Sequence, residues 1–428
     1  MLIKPIKRIR QNITIPGDKS ISHRAVMLSS IAEGENKIHN FLMGDDCLKT
    51  IECFRKMQVP IEIIKNEIRV KSVGLKGLKK PNGMLDVGNS GTTIRLMCGM
   101  LVGQNFNSTI TGDNSIQSRP MDRIIKPLEK MGSIIKGINK EGYAPLQIQG
   151  NKLSAINYNM PVASAQVKSA ILLAGIYAKG TTSVLENQKS RDHTERMLNY
   201  MGANIKQYGF SIYSNPVDRL YAKDIYVPGD ISSAAFFLVL GAVVQDAEII
   251  IENVGLNPTR TGIIDVLKCM GADIKILGRR ILNEEPMGDI RVSNSDLKGI
   301  KISGSIIPRL IDEIPVIAVA AALARGTTTI QNAEELKVKE SDRIAAVVTE
   351  LRKIGADIEK TDDGMIIRGK DSLRGGEVES HNDHRIAMAL AIAGLVSEEG
   401  VVINNPQCVT VSFPNFFNTL DRMIKHEN

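Results

Sequence analysis

The chain of 428 residues repeats itself: stretches of helical pattern end again and again in the same few letters and pass into a strand. Four copies are Lys130-Met131-Gly132, Tyr200-Met201-Gly202, Cys269-Met270-Gly271 and Lys353-Ile354-Gly355, and the last three continue as Ala-Asn-Ile or Ala-Asp-Ile. A degenerate copy stands at Lys56-Met57-Gln58 and a truncated one at Arg422-Met423. Glycine directly after a helix takes the left-handed conformation without steric cost, so it caps the C-terminus. The copies lie roughly 70–85 residues apart, too far for a solenoid unit, so each repeat is expected to be a small α/β subdomain. Six such subdomains, rather than one large sheet, are what this pattern predicts.

A second element runs out of phase with the first. Apolar, Ala-rich runs begin at Ser20, Ser90, Ser164, Asp230, Asp312 and Asp383. Short polar side chains at such starts offer an oxygen to the unpaired amides of a first helical turn. Most runs end at a glycine before a β-branched strand: Gly34, Gly103, Gly180, Gly326 and Gly400, with the fourth ending near Gln245. Ile314 to Ala324 and Ala387 to Gly394 are apolar nearly all round, which predicts buried helices. Each subdomain should therefore hold one buried helix, one amphipathic helix and several strands.

No apolar run reaches the ~20 residues that span a bilayer, and the basic start lacks the continuous apolar stretch of a secretory signal. Five cysteines without a C-x-x-C pair fit reduced, cytoplasmic thiols. The net charge is +7, but only 4% of residues are aromatic and tryptophan is absent. Neither a base-stacking platform nor a basic tail is present, so the excess cations fit a site for small polyanions better than nucleic acid.

The arginines cluster at the expected helix starts. Pro16–Arg24 brings Lys19, Ser20 and Arg24 to one N-terminus, with Ser20 and Arg24 on one face. Such an end already favours anions through its free amides and partial positive charge. Arg119 precedes Pro120, which is expected to start a helix. Arg385 follows Asn382-Asp383-His384, Gly88–Thr93 forms a glycine-bearing turn, and Ser164–Lys168 is another polar helix start. In Lys337–Arg343 the pair Lys339 and Arg343 is expected on one side of a helix, with Glu340 beside it. Asp312 supplies a second carboxylate. Two carboxylates among cations suit a reaction needing a general acid and a general base. His381 and His384 have metal-ligand spacing, but no further ligand lies near them in sequence, so they read as parts of a helix start.

From about Ile13 to Phe417 the chain resembles the 5-enolpyruvylshikimate-3-phosphate synthase family. P-G-D-K-S-I-S-H-R, G-N-S-G-T, S-R-P-M, S-A-Q-V-K, V-K-E-S-D-R and N-D-H-R occur in the family's order. R-D-H-T-E at Arg191–Glu195 and N-P-T-R at Asn257–Arg260 resemble markers of its class II branch. The resemblance implies a two-domain inverted α/β barrel with three repeats per domain. One domain would span residues 18–229 and the other 1–17 plus 230–428, with the active site in the cleft between them.

It also implies transfer of the enolpyruvyl group of phosphoenolpyruvate to the 5-hydroxyl of shikimate 3-phosphate, without metal, nucleotide cofactor or covalent enzyme intermediate. By motif position, Lys19, Asp312 and Glu340 are the implied catalytic residues. Glu340 would act at the methylene carbon and Asp312 would face the 5-hydroxyl. Lys19, Ser20, Arg24, Ser164, Gln166, Arg191, Asp312 and Lys339 would bind shikimate 3-phosphate. Lys19, Gly91, Arg119, Gln166, Arg343 and Arg385 would surround phosphoenolpyruvate. The expected protein is a cytoplasmic monomer working on small molecules, with neither nucleic acid nor membrane as partner.

Three positions depart from the family's class I pattern: Glu335 replaces an asparagine, Ala165 a serine and Val411 a lysine. Glyphosate occupies the phosphoenolpyruvate site in this family; the class II markers point to tolerance, whereas Gly91 keeps the space that an alanine would narrow. Two other readings remain at this point. A UDP-N-acetylglucosamine enolpyruvyl transferase would be expected to carry Lys-Asn where Lys19-Ser20 stands, and a reactive loop cysteine. A non-catalytic anion- or RNA-binding relative would need neither Asp312 nor Glu340.

Overall fold

The computed structural model describes residues 1–425, and the chain forms two compact units. A terminal unit holds Met1–Pro16, Pro228–Ile281 and Pro286–Asn428; an inserted unit holds Gly17–Val227 with Leu282–Glu285. Against the expected boundaries, Gly17, Pro228, Gly229 and the Leu282–Glu285 turn fall on the other side. A Cβ on Gly17 would lie 1.9 Å from the Asn40 carbonyl oxygen, inside the inserted unit. The Gly229 amide donates to the Asn253 carbonyl at 2.8 Å, inside the terminal unit.

The inserted unit contains α1 (Lys19–Ile31), α2 (Asp45–Lys56), α3 (Gly91–Leu101), α4 (Asn114–Gln117), α5 (Asp122–Lys130), α6 (Ala165–Gly175) and α7 (His193–Tyr200). The terminal unit contains α8 (Ile231–Val243), α9 (Gly262–Cys269), α10 (Ile314–Ala322), α11 (Arg343–Lys353), α12 (His384–Leu395) and α13 (Phe416–Lys425). The repeat is a strand, a buried helix, a second strand, an amphipathic helix and a hairpin. In one copy Leu85–Asp86 pairs parallel with Asn107–Thr111, and Leu146–Gln149 and Ile134–Gly137 follow antiparallel. The sheets at Asn157–Asn159 and Lys301–Ile302 are built alike.

Two strands exchange places. Arg8–Thr14 precedes α1 but pairs parallel with Asp246–Gly255, while Ile225–Tyr226 precedes α8 but pairs parallel with Glu35–His39. Each strand completes a sheet of its own unit, and the helix that follows it in the chain belongs to the other unit, which is why the chain crosses twice. Among the described residues the sixth repeat has no hairpin, and Leu2–Ile3 fills that edge against Val401–Asn404. The truncation read at Arg422-Met423 is thus matched by a shortened sheet.

Each unit closes its own apolar core around three helices: α1, α3 and α6 in one, α8, α10 and α12 in the other. The repeated glycines do what the pattern required, with φ of 95° at Gly132, 94° at Gly202, 102° at Gly271 and 97° at Gly355. Gln58, in the degenerate copy, is forced to φ 65°. Ser90, Ser164, Asp230 and Asp383 cap α3, α6, α8 and α12 with their side chains.

Two expected caps and one expected helix start are displaced. Asp18 rather than Ser20 caps α1, its Oδ1 accepting from the Ile21 amide at 2.9 Å. Glu313 rather than Asp312 stands at the N-cap of α10, because Pro315 sits comfortably only in a first turn. Pro120 does not start α5, which begins at Asp122 after Met121.

Candidate functional site

In the inserted unit the starts of α1, α3, α6 and α7 carry the expected residues. Lys19 opens α1 and its Nζ lies 2.5 Å from Asp46 Oδ2, in the first turn of α2. Arg24 is buried one turn below. Its Nε donates to Thr194 Oγ1 at 2.7 Å, Nη1 to the Ser20 carbonyl at 2.9 Å and Nη2 to Ser169 Oγ at 2.9 Å. Burial lowers its pKa to about 10, partly offset by Glu195 and Asp18, while Arg191 lowers it further. Arg24 therefore knits α1, α6 and α7 together, and Ser20 contributes its carbonyl to that knot.

Gly91 is the first residue of α3. A Cβ there would lie 2.8 Å from Arg95 Nη1 and 3.1 Å from Arg119 Nη1, so both guanidinium groups converge on this backbone. Arg95 Nη1 donates to Gln166 Oε1 at 2.8 Å, and Gln166 Nε2 to Thr92 Oγ1 at 3.1 Å. Arg119 Nη2 donates to Asn89 Oδ1 at 3.0 Å and Ser115 Oγ at 2.9 Å. Gly91, Arg119 and Gln166 are thus brought together, with Ser164 capping the helix that presents Gln166. Arg191 lies just before α7.

Sequence reasoning missed Arg95, although it is four residues after Gly91 and so shares its helix face. Lys168, read as part of a polar helix start, is instead 1% exposed, between Glu186 at 3.1 Å and Glu195 at 2.7 Å. His23 is also a core residue. Its Nδ1 lies 2.7 Å from Thr50 Oγ1, and burial followed by the charges of Lys19 and Arg24 holds its pKa well below the usual histidine value.

In the terminal unit one guanidinium gathers the acids. Arg343 Nη1 donates to Asp312 Oδ1 at 3.2 Å, Nη2 to Glu340 Oε2 at 2.6 Å and Nε to Asp383 Oδ2 at 2.8 Å. Burial works against the charge of Arg343, but Asp383, Glu340 and Asp312 more than reverse that and raise its pKa. Burial likewise opposes the Asp383 carboxylate, yet Arg343 wins and holds its pKa below the usual value. Arg385 Nη2 stands 3.8 Å from Asp312 Oδ2, at the start of α12.

Both expected carboxylates therefore sit on Arg343, and Asp383, read only as a helix start, is a third partner. Lys339 departs from the expectation. It closes the 3-10 turn Glu334–Val338, outside α11, and its Nζ lies 3.7 Å from Glu335. Asp342 caps α11 through the Ala345 amide, which breaks the helix between Lys339 and Arg343. His381 Nε2 lies 2.8 Å from Glu350 Oε1 and His384 opens α12. No metal-binding group of three or more His, Cys, Asp or Glu side chains occurs among the described residues.

Comparison with known proteins bears on what these two constellations serve. The family model described as EPSP synthase (3-phosphoshikimate 1-carboxyvinyltransferase) matches residues 3–420. Proteins named 3-phosphoshikimate 1-carboxyvinyltransferase are 52% identical in Desulforamulus reducens, over 99% of both chains, and 54% identical in Bacillus velezensis, over 98% of both. A solved EPSP synthase from Acinetobacter baumannii is 46% identical, with a TM-score of 0.89 over 99% of this chain and 97% of that one. The enolpyruvyl transferase NikO from Streptomyces tendae shares the fold, with a TM-score of 0.82 at 15% identity over 98% of this chain and 96% of that one.

Proposed function

Since the chain belongs to the EPSP synthase family, we infer that it transfers the enolpyruvyl group of phosphoenolpyruvate to the 5-hydroxyl of shikimate 3-phosphate. Inorganic phosphate leaves, and the product feeds chorismate and aromatic amino acid synthesis. The observation that carries the assignment of roles is Arg343 holding Asp312 and Glu340 on adjacent nitrogens. A reaction that adds a proton at one carbon and removes one from a hydroxyl needs two such groups fixed together.

Glu340 delivers a proton to the methylene carbon of phosphoenolpyruvate, making C2 electrophilic. Asp312 takes the proton of the 5-hydroxyl as its oxygen bonds to C2. The tetrahedral adduct then returns a methyl proton to Glu340, the C2–O bond to phosphate breaks, and the double bond reforms. Lys19, at the positive end of α1, stabilises charge on both substrates. Gly91, Arg119 and Gln166, with Arg343 and Arg385, hold phosphoenolpyruvate. Arginine suits its planar carboxylate and its phosphate because it donates two parallel hydrogen bonds.

Ser20, Arg24, Ser164, Gln166, Arg191, Asp312 and Lys339 serve shikimate 3-phosphate. For Arg24 the support is indirect, since its three nitrogens already bind protein oxygens and it acts by fixing the start of α1. We read the protein as a cytoplasmic monomer, with neither nucleic acid nor membrane as partner. Each unit closes its own core, and the site arginines are engaged by protein oxygens instead of forming a track for a phosphate backbone.

A phosphate-release assay with each substrate omitted in turn tests the reaction: release should require both. Glu340→Gln should lower turnover by about 10²-fold or more, the scale of a lost general acid, while shikimate 3-phosphate still binds. Wild-type turnover in that variant refutes the role given to Glu340.

A further inference from the structure

The motif Asn257-Pro258-Thr259-Arg260 has no part in the reaction as described, yet it is built into the fold with unusual care. Asn257 Oδ1 accepts from the Thr259 amide at 2.9 Å and its hydroxyl at 2.7 Å, and the Asn257 carbonyl accepts from the Arg260 amide at 2.8 Å. The turn is thereby fixed before it touches anything else. Arg260 then points inward and is 3% exposed. Its Nη2 donates to Asp230 Oδ1 at 3.0 Å and to Ser232 Oγ at 2.8 Å. The Ser232 hydroxyl donates in turn to Glu313 Oε1.

Glu313 directly follows Asp312 in the chain and is 1% exposed. Buried carboxylates need a nearby cation and hydrogen bonding; at the start of α8 Arg260 pairs with Asp230, and Ser232, which accepts from Arg260, supplies the hydrogen bond to Glu313. The same turn also holds the residues before Asp312. The Pro258 carbonyl accepts from Arg309 Nε at 2.7 Å, and Arg309 Nη2 lies 2.7 Å from Asp265 in α9. A Cβ on Gly262 would meet the Arg309 carbonyl at 3.0 Å, so the backbones touch there.

We propose that the Asn257–Gly262 turn is the positioning element for Asp312, gripping the chain at Arg309 on one side and, through Arg260 and Ser232, at Glu313 on the other. Arg260 is a positioning residue: it reaches the reaction only by fixing where the Asp312 carboxylate stands. The inference rests on the role given to Asp312 and adds what holds that residue in place.

A double-mutant cycle tests it. Arg260→Lys keeps the charge but loses the planar fork, and Ser232→Ala removes only the bridging hydroxyl. Each is measured for kcat and both KM values in the wild-type and Asp312→Asn backgrounds, with thermal unfolding as a check on folding. Arg260→Lys should lower kcat by ~10-fold or more, with KM for phosphoenolpyruvate within ~3-fold, and cost under ~2-fold once Asp312 is already Asn. Ser232→Ala should lower kcat by at least ~3-fold and vanish in the same way; if Arg260→Lys fails to fold, this variant decides.

An equal loss in both backgrounds, or no loss in either, overturns the proposal. Wild-type kcat in Asp312→Asn alone overturns the role of Asp312 instead, so the two failures are distinguishable. A purely structural role would lower the unfolding temperature but would not disappear with Asp312.

Discussion

Gly91→Ala sets fold stability and substrate binding against each other, so it separates them in one variant. Gly91 is the first residue of α3 and its φ lies outside the left-handed region, so alanine meets no backbone strain. Intrinsic preference favours alanine in a helix by up to ~1 kcal/mol. The cost falls on the side chains around it. The new methyl would sit 2.8 Å from Arg95 Nη1 and 3.1 Å from Arg119 Nη1, whereas comfortable contact is about 3.5–4.0 Å.

Arg95 must therefore retreat by about half an ångström or more, stretching its 2.8 Å bond to Gln166, and Arg119 must shift with it. A hydrogen bond to a charged group contributes ~1.5–3 kcal/mol, and ~1.4 kcal/mol is a factor of ten in binding. The expected outcome is kcat/KM for phosphoenolpyruvate lowered by about 10- to 100-fold. The dissociation constant for shikimate 3-phosphate should stay within ~2-fold and the unfolding temperature should be unchanged or higher. Steady-state kinetics with each substrate varied, beside calorimetric titration of shikimate 3-phosphate alone, provide the measurement. An unchanged KM for phosphoenolpyruvate, or equal losses for both substrates, refutes the placement of that substrate against Gly91.

Three further outcomes follow from burial and backbone geometry. His23 stays neutral in the fold because burial and neighbouring cations depress its pKa, so below pH ~6.5 the unfolded chain binds the extra proton and stability falls with falling pH. Between about pH 7 and pH 5 this removes up to ~2 kcal/mol, and His23→Gln should flatten the urea-unfolding profile in that window; an identical slope refutes the assignment. Lys168→Met leaves Glu186 and Glu195 buried without their cation and should cost about 3–5 kcal/mol, read by urea unfolding; a loss under ~1 kcal/mol would show the trio is solvated. Gln58→Gly relieves a non-glycine residue held at φ 65° and should stabilise by ~0.5–1 kcal/mol in the same assay, the left-handed cost outweighing the entropy that glycine loses on folding.

What could be read from the chain beforehand divides by range. The C-terminal glycine caps are set by local sterics, so Gly132, Gly202, Gly271 and Gly355 announce themselves, and with them the six repeats. N-caps are half local: Ser164 offered a single candidate, whereas Asn89 and Ser90, Asp18 and Ser20, or Asp312 and Glu313, lie close together and the sequence alone does not decide between them. Asp312 is drawn away to Arg343 and Arg385, leaving Glu313 at the helix start. Pairings across many residues carried no local signal. Arg95 meets Gln166 across 71 positions, Arg24 meets Thr194 across 170, and Arg343 meets Asp383 across 40. Lys339 failed for a different reason: spacing of four implies a shared face only if one helix covers both residues, and the cap at Asp342 interrupts it.

The three carboxylates on Arg343 also bear on how an anionic substrate is admitted. A buried guanidinium without a partner costs several kcal/mol, so a cation proposed to receive a substrate carboxylate needs a stand-in beforehand. Glu340 serves for this better than Asp383, since Asp383 is fully buried and tied to Ser341 and the Arg385 amide as well. On the proposed roles, the carboxylate of phosphoenolpyruvate would compete with Glu340 on reaching Arg343, and displacement would free that side chain to approach the methylene carbon. Removing the charge of Glu340 should therefore leave phosphoenolpyruvate binding unchanged or tighter, even though turnover is lost. For Glu340→Gln, tryptophan-free protein and an isothermal titration of phosphoenolpyruvate in the presence of shikimate 3-phosphate give the dissociation constant directly. Weakening by more than ~10-fold, or about 1.4 kcal/mol, would mean that Glu340 assists binding and does not compete with the substrate for Arg343.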